Sequence, residues 1–302
     1  MDLSARIRSI SSAILARMKG KPSIAIVGTG NLGTALALSL HAAGYEIDAV
    51  VAHLPSSLRR ARELAKRFSC DVLRDVIETR AHIMWFCVPD AAIAGAARDA
   101  ARSDSWKGRV AFHSSGALSS DELVTLRRRG ASVASVHPLM TFVRGSTPSL
   151  SGVPFAIEGD ASAVRVARSI VRHLGGRAYN IRKPDKTAYH AWGTFASPLL
   201  TALLAVTERV AERSGISREQ AARRMMPILR QTLENYETFG PAVGFSGPII
   251  RGDADTVRRH LRILRKNLLA KEVYVALVKA ALQWLPAKNK ASLKRLLDAS
   301  RG

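Results

Sequence analysis

The sequence predicts an α/β protein, a doubly wound parallel sheet followed by an all-α domain, and three observations carry that expectation. An apolar run, Ile24-Ala25-Ile26-Val27, opens directly into glycines spaced G-x-G-x-x-G, the pattern of a strand turning tightly into a helix. Short β-type runs then alternate with segments of helical period as far as residue 181, as strands joined by crossover helices do. Beyond Asp185 the period is helical, interrupted at Ser214 to Ser217, Gly240 to Asp253 and Pro286.

In chain order, residues 1–21 read as a basic, mildly amphipathic extension without the long apolar core and small-residue cleavage site of a secretory signal. Residues 22–183 form the sheet domain. Its strands are expected at 23–27, 46–51, 82–88, 109–113, 132–136, 153–159 and 177–181, with helices after the glycines and at 56–68, 90–102, 119–129 and 161–174. Residues 184–302 form the helical domain. It starts with a charge-free stretch, Thr187 to Thr207, long enough to span a bilayer. Pro198 and the polar residues His190, Thr194, Ser197 and Thr201 favour instead a helix buried inside the protein or at a subunit interface.

The glycine turn points to a dinucleotide. Gly28 permits the tight turn, Gly30 lets the backbone approach a pyrophosphate, and Gly33 lets the helix pack against the strand, with Thr29, Asn31 and Leu32 completing the loop. The helix N-terminus offers unpaired N–H groups to phosphate. An NAD site carries an acid about 20 residues further on; this chain has His53 there, followed by Ser56, Ser57, Arg59 and Arg60. Hydroxyls and guanidinium groups suit a 2′-phosphate, so NADP (NADPH) is expected over NAD.

Ligands of an open α/β sheet sit beyond the C-terminal ends of the strands. Three such ends carry polar residues: Val88-Pro89-Asp90, His113-Ser114-Ser115-Gly116 and His137-Pro138. Val88, Pro89 and Ser114 are expected at the cofactor, Ser115 and Gly116 at the substrate, and Asp90 as a helix cap. In the helical part Lys186, His190, Thr194, Ser197 and Thr201 recur at spacings of one helix face. Arg251, between the glycines of SGPIIRGD, is a candidate for a substrate carboxylate.

Composition narrows the class. The 302 residues are 47% apolar and 23% charged, ordinary for a soluble globular protein. The net charge of +22 is spread along the chain without an aromatic-basic motif, which suits attraction of small anions; neither nucleic acid nor a membrane is an expected partner. Cys70 and Cys87 are the only cysteines and make no C-x-x-C, so neither a disulfide framework nor a cysteine zinc site is expected, and a reducing cytoplasm fits. His113, His137 and His190 lack ligand spacing on one element, and no metal is expected.

GTGNLG, VPD, HSSGAL, HPLMTF, KTAYHAW and SGPIIRGD, in this order, resemble a family of oxidoreductase-like proteins with a Rossmann-like domain and a C-terminal helical domain of unknown function. More distantly the chain is similar to 6-phosphogluconate, β-hydroxyacid, ketopantoate, pyrroline-5-carboxylate and prephenate dehydrogenases or reductases. That resemblance implies hydride transfer between nicotinamide and a small carboxylate bearing an alcohol, carbonyl or imine, and a homodimer built on the helices. The β-hydroxyacid enzymes place a catalytic lysine and an asparagine four apart, which Lys186 and His190 match in spacing; the histidine departs from the asparagine. His137-Pro138 resembles the catalytic HP motif of prephenate dehydrogenases. Lys186, His137 and His190 are thus the expected catalytic residues, and Thr194, Ser197 and Arg251 the expected substrate contacts. Ser197-Pro198 stands where Ser-Asn is expected, which motivates the alternative of a non-catalytic NADP-binding sensor or partner-binding dimer.

Overall fold

The computed structural model describes residues 20–103 and 105–300, so the expectation for the N-terminal extension falls almost wholly outside the described residues. The chain divides into two compact units, Met1–Thr194 and Phe195–Gly302.

In the first unit eight strands form one sheet: β1 Ile24–Val27, β2 Ile47–Val51, β3 Asp71–Leu73, β4 Ile83–Phe86, β5 Val110–His113, β6 Ser132–Pro138, β7 Pro154–Gly159 and β8 Arg177–Asn180. Their order is β3-β2-β1-β4-β5-β6-β7-β8. Helices α1 (Asn31–Ala42), α2 (Pro55–Phe68), α3 (Asp90–Ala100), α4 (Val124–Arg128) and α5 (Ala161–His173) make the connections. The central strands β1 and β4 are apolar at every position because helices cover both faces. Alternate residues feed opposite cores: Ile24, Ile26, Trp85 and Phe112 pack with Leu36 and Leu40, while Val27, Met84, Phe86 and Ala111 pack with Ile93 and Trp106. Each large side chain buried this way contributes about 2–3 kcal/mol.

The sheet departs from the expected parallel arrangement at one seam. β7 runs antiparallel to β6, with His137 opposite Ala156, because the segment joining them contains no helix to carry the chain back across the sheet. β8 is again parallel to β7 across α5. The short edge strand β3 was not expected from the sequence.

α6 (Lys186–Ala196) begins in the first unit and its last two residues belong to the second. The second unit continues with α7 (Pro198–Ala211), α8 (Arg218–Gly244), α9 (Pro248–Arg251), α10 (Ala254–Leu264), α11 (Leu268–Trp284) and α12 (Lys290–Ala299). Its core is Val257 and Leu261 of α10, Val278 and Leu282 of α11, and Leu293 and Leu297 of α12. The expected break near residue 240 is a kink inside α8, where Gly240 has φ 75° and ψ 174° ahead of Pro241.

The charge-free stretch differs from expectation in being two helices, since Pro198 has no N–H to donate and excludes Ser197 from helical geometry (φ −130°, ψ −78°). Of the two expected placements, inside the protein or at a subunit interface, the first does not hold for Trp192, Phe195, Leu199 and Leu200, which are exposed in the single chain. The five-residue polar stripe is divided accordingly, with Lys186, His190 and Thr194 on α6, Ser197 at the break and Thr201 on α7. No helix among the described residues is long and apolar enough to cross a membrane.

Candidate active site

The glycine turn is built as the spacing requires. Gly28 has φ +98°, and a Cβ on Gly33 would lie 2.0 Å from the Gly28 carbonyl oxygen, so α1 reaches the loop only with glycine there. A Cβ on Gly30 would meet nothing within 4 Å. Gly30 caps α1 without a side-chain hydrogen bond or a first-turn acid, which leaves the helix N-terminus open to phosphate. Beside it a cavity of about 260 Å³ is lined by Gly30, Asn31, Leu32, Val88, Pro89, Asp90, Ser114 and Ser115 together with Phe86 and Cys87. The expected pyrophosphate and nicotinamide residues therefore converge on one cavity.

At the end of β2, His53, Ser56 and Arg59 are exposed at the start of α2, whose first turn holds no acid. Arg59 pairs with Glu63 on its own helix at 3.1 Å. The arginine that reaches the glycine turn is Arg60, which donates to the Thr29 carbonyl at 3.0 Å and to Asn31 Oδ1 at 3.4 Å. Asn31 in turn donates to the Phe142 carbonyl at 3.2 Å. An uncapped helix start, a backbone cradle bare of side chains and a cationic second turn fit a dinucleotide carrying an extra phosphate.

Asp90 is not the helix cap expected. Pro89 occupies the cap position of α3, and the Asp90 carboxylate accepts the Ser115 hydroxyl at 2.8 Å. Ser115 Oγ also accepts the N–H groups of Ala117 and Leu118, so this side chain builds the turn. Ser114 lines the cavity, but its hydroxyl is committed within the protein: it accepts from Trp85 Nε1 at 2.8 Å and donates to the Val136 carbonyl at 3.0 Å.

Gly116 joins the cavity to a second group of residues. A Cβ there would lie 2.9 Å from His137 Nε2 and 2.7 Å from His190 Cδ2, so the two imidazoles close on Gly116 and a side chain at this position would have to displace them. His137 Nδ1 shares a 2.7 Å hydrogen bond with the Tyr189 hydroxyl. Tyr189 itself was not anticipated, although Lys186, Tyr189 and His190 stand at i, i+3 and i+4 and thus on one helix face. Burial is the main cause holding the His137 pKa down at about 4, with Lys186, His190 and His113 adding repulsion. The Tyr189 phenol is pushed up by burial and then by its bond to Tyr179. Both groups are neutral at physiological pH.

Lys186 lies deeper. It is 1% exposed, and its ammonium donates to the Ser115 carbonyl at 3.1 Å and to Ser135 Oγ at 2.8 Å. Burial lowers its pKa to about 8 against the opposing pull of Glu158 and Asp90. Glu158 is itself buried and accepts from the Ser120 N–H and hydroxyl. His113 accepts the Ser115 N–H at Nδ1 and so carries its proton on Nε2, bonded to the Ser119 carbonyl at 2.9 Å. Burial holds its pKa at about 4.

The remaining candidates bond within their own helix or belong to the second unit. Thr194 donates to its own helix at the His190 carbonyl. Ser197 and Arg251 belong to the second unit; Arg251 is exposed at the end of α9, and Asp253 caps α10 through the Thr256 N–H at 2.9 Å. Among the described residues no group of three or more His, Cys, Asp or Glu side chains is placed to hold a metal ion.

Residues 11–138 match the model of a Rossmann-like domain, and residues 153–281 match that of a domain of unknown function, DUF2520. No curated protein matches the sequence. Among solved structures, a candidate NADP oxidoreductase from Bacteroides fragilis is similar at 21% identity and a TM-score of 0.72, over 86% of this chain and 97% of that one. The protein TM1727 from Thermotoga maritima is 23% identical with a TM-score of 0.67, over 92% and 100%. A reductive aminase from Aspergillus terreus, in complex with NADPH and ethyl-5-oxohexanoate, is 14% identical with a TM-score of 0.63, over 93% and 100%. At these identities the likeness is one of fold.

Proposed function

We propose that this chain, which matches a Rossmann-like domain model over residues 11–138 and DUF2520 over residues 153–281, is an NADP-dependent oxidoreductase acting on a small carboxylate that bears an alcohol, carbonyl or imine. The observation that carries the reading is the Ser115–Gly116 turn: Ser115 lines the cavity at the dinucleotide cradle, and Gly116 abuts His137 and His190. NADPH, when bound, supplies a hydride. The chain's own work is positional and protonic. The open N-terminus of α1 and the bare Gly30 receive phosphate, and His53, Ser56 and Arg59 receive the 2′-phosphate. His137 exchanges the substrate proton at Nε2, the nitrogen facing Gly116, while Tyr189 fixes the ring through Nδ1. The names of two structural relatives, an NADP oxidoreductase and a reductive aminase in complex with NADPH, support the same reaction class.

A homodimer is part of the proposal, supported by Leu199 and Leu200 on α7 and Leu233, Tyr236, Phe239 and Val243 on α8, all exposed in the single chain. The two free cysteines, Cys70 and Cys87, suit a reducing cytoplasm.

Fluorescence titration tests the cofactor. NADPH should bind at least about tenfold more tightly than NADH, a difference of about 1.4 kcal/mol; equal affinities would sink the assignment. The second reading, a sensor that binds NADP without turnover, is favoured by the burial of Lys186, whose ammonium spends two donors inside the protein. A panel of keto acids, hydroxy acids and cyclic imines separates the two, because the sensor oxidises NADPH with none of them.

A further inference from the structure

We propose that Lys186 is a positioning residue rather than the group that meets substrate: its buried ammonium pins the Ser115–Gly116 turn from within the fold and supplies a fixed positive charge to the buried layer around His137. This deepens the reading above and rests on it for the role of His137.

The geometry carries the first half. At 1% exposure the Lys186 side chain has almost no surface to offer a ligand. Its donors go to the carbonyl of Ser115 and the hydroxyl of Ser135, and Ser135 donates in turn to the same Ser115 carbonyl at 3.2 Å. Three elements are thereby tied at one backbone oxygen: the turn after β5, strand β6 and the first residue of α6. The next residue is Gly116, where an added methyl group would lie 2.9 Å from His137 Nε2 and 2.7 Å from His190 Cδ2 and would have to push the rings aside. A shift of the pinned carbonyl would therefore open or close the position in front of His137 Nε2.

Charge carries the second half. The groups acting on His137 are Lys186, Tyr189 and His190 of α6 and His113 of β5. Of these, Lys186 is the one cation in the buried layer, and it repels a proton on His137. The negative groups Glu158 and Asp90 act on Lys186 and hold its own proton in place. A neutral imidazole with one nitrogen tied to a phenol is the form able to accept or donate at Nε2 without a prior change of charge.

The test is an NMR pH titration of His137, assigned with His137→Gln, in the full chain without cofactor or substrate. Lys186→Gln keeps amide donors for Ser115 and Ser135 but removes the charge, and should raise the His137 midpoint by about one unit. Lys186→Arg should leave it near the wild-type value. In turnover with NADPH, Lys186→Gln should move the acid limb of kcat in the same direction with KM changed less than about twofold. A purely structural lysine would lower the melting temperature and leave the midpoint unmoved, which overturns the proposal. So does a charged His137 in the wild-type protein at pH 6, a result that needs no variant to fold. Loss of NADPH binding would refute the oxidoreductase reading but not this one, because the titration uses no cofactor.

Discussion

The two units of the chain spend their side chains in opposite ways. Every buried polar or charged residue among the described residues, from Thr29 to Lys186, lies in the first unit. The second unit instead leaves large apolar side chains outside: Leu233, Tyr236, Phe239 and Val243 on α8, Leu268 and Leu269 at the start of α11, and Trp284 at its end. α8 spans 27 residues and buries only Ala221. A sheet unit that pairs Lys186, Glu158, His113 and Ser114 inside is specified by its own chain. The apolar surface that the helical unit leaves exposed is the feature on which the proposed homodimer rests.

The largest expected effect separates the units by their glycines. Gly33→Ala puts a methyl 2.0 Å from a backbone oxygen, and should destabilise the sheet unit by roughly 4 kcal/mol or more. Gly215→Ala, in open space at φ +76°, should cost only about 1 kcal/mol. Urea melts followed by circular dichroism compare them, and equal losses would break the contrast.

Acid should act next, and on the sheet unit. The folded-state pKa values of His113 and His137 lie at about 4, below the 6.5 of an unperturbed histidine. The unfolded chain therefore binds more protons between those values, so stability rises from pH 4 to 6.5 and is lost as the pH falls back through that window. Each ring contributes at most about 3 kcal/mol. Melting temperatures across pH 4–7 for wild type and His113→Asn check this; a flat wild-type curve would contradict the buried neutral rings.

A smaller effect concerns assembly. Leu233→Glu and Tyr236→Glu should weaken the proposed dimer by about 1.4 kcal/mol or more each, tenfold in dissociation constant, without disturbing NADPH binding. Light scattering reads the mass; a wild type already monomeric and folded at micromolar concentration would remove the helical unit's claim to a partner. The smallest effect divides two adjacent arginines. Arg59, 79% exposed and paired only with Glu63, should narrow the NADPH preference by a few-fold when changed to Ala. Arg60→Ala should weaken NADPH and NADH alike, because Arg60 braces the Thr29 carbonyl. Matched titrations distinguish them.

Much of the sheet was legible because each buried strand is a contiguous apolar run between turn residues, as in Ile83-Met84-Trp85-Phe86. β3 escaped since Asp71-Val72-Leu73 is too short for a period to register. The direction of β7 escaped because pairing is non-local, and nothing in the local sequence of Pro154–Gly159 distinguishes a parallel from an antiparallel neighbour. At the site, the glycine spacing and the polar strand ends were readable. The Asp90–Ser115 and His137–Tyr189 bonds were not, since each joins residues remote in sequence, and Asp90 looked like a cap because helix-start aspartates commonly are.

The sequence by itself determined where most strands give way to helices and that the first turn would be built on glycines ahead of an uncapped helix, because these depend on backbone sterics and on neighbours a few residues away. Only the tertiary structure decided what each polar side chain does. Lys186 in the sequence is a cation four residues before a histidine; in the fold it is an ammonium sealed beneath Ser115. Burial and partnership arise from contacts between distant segments, and these set both the charge a group carries and the atoms it can reach.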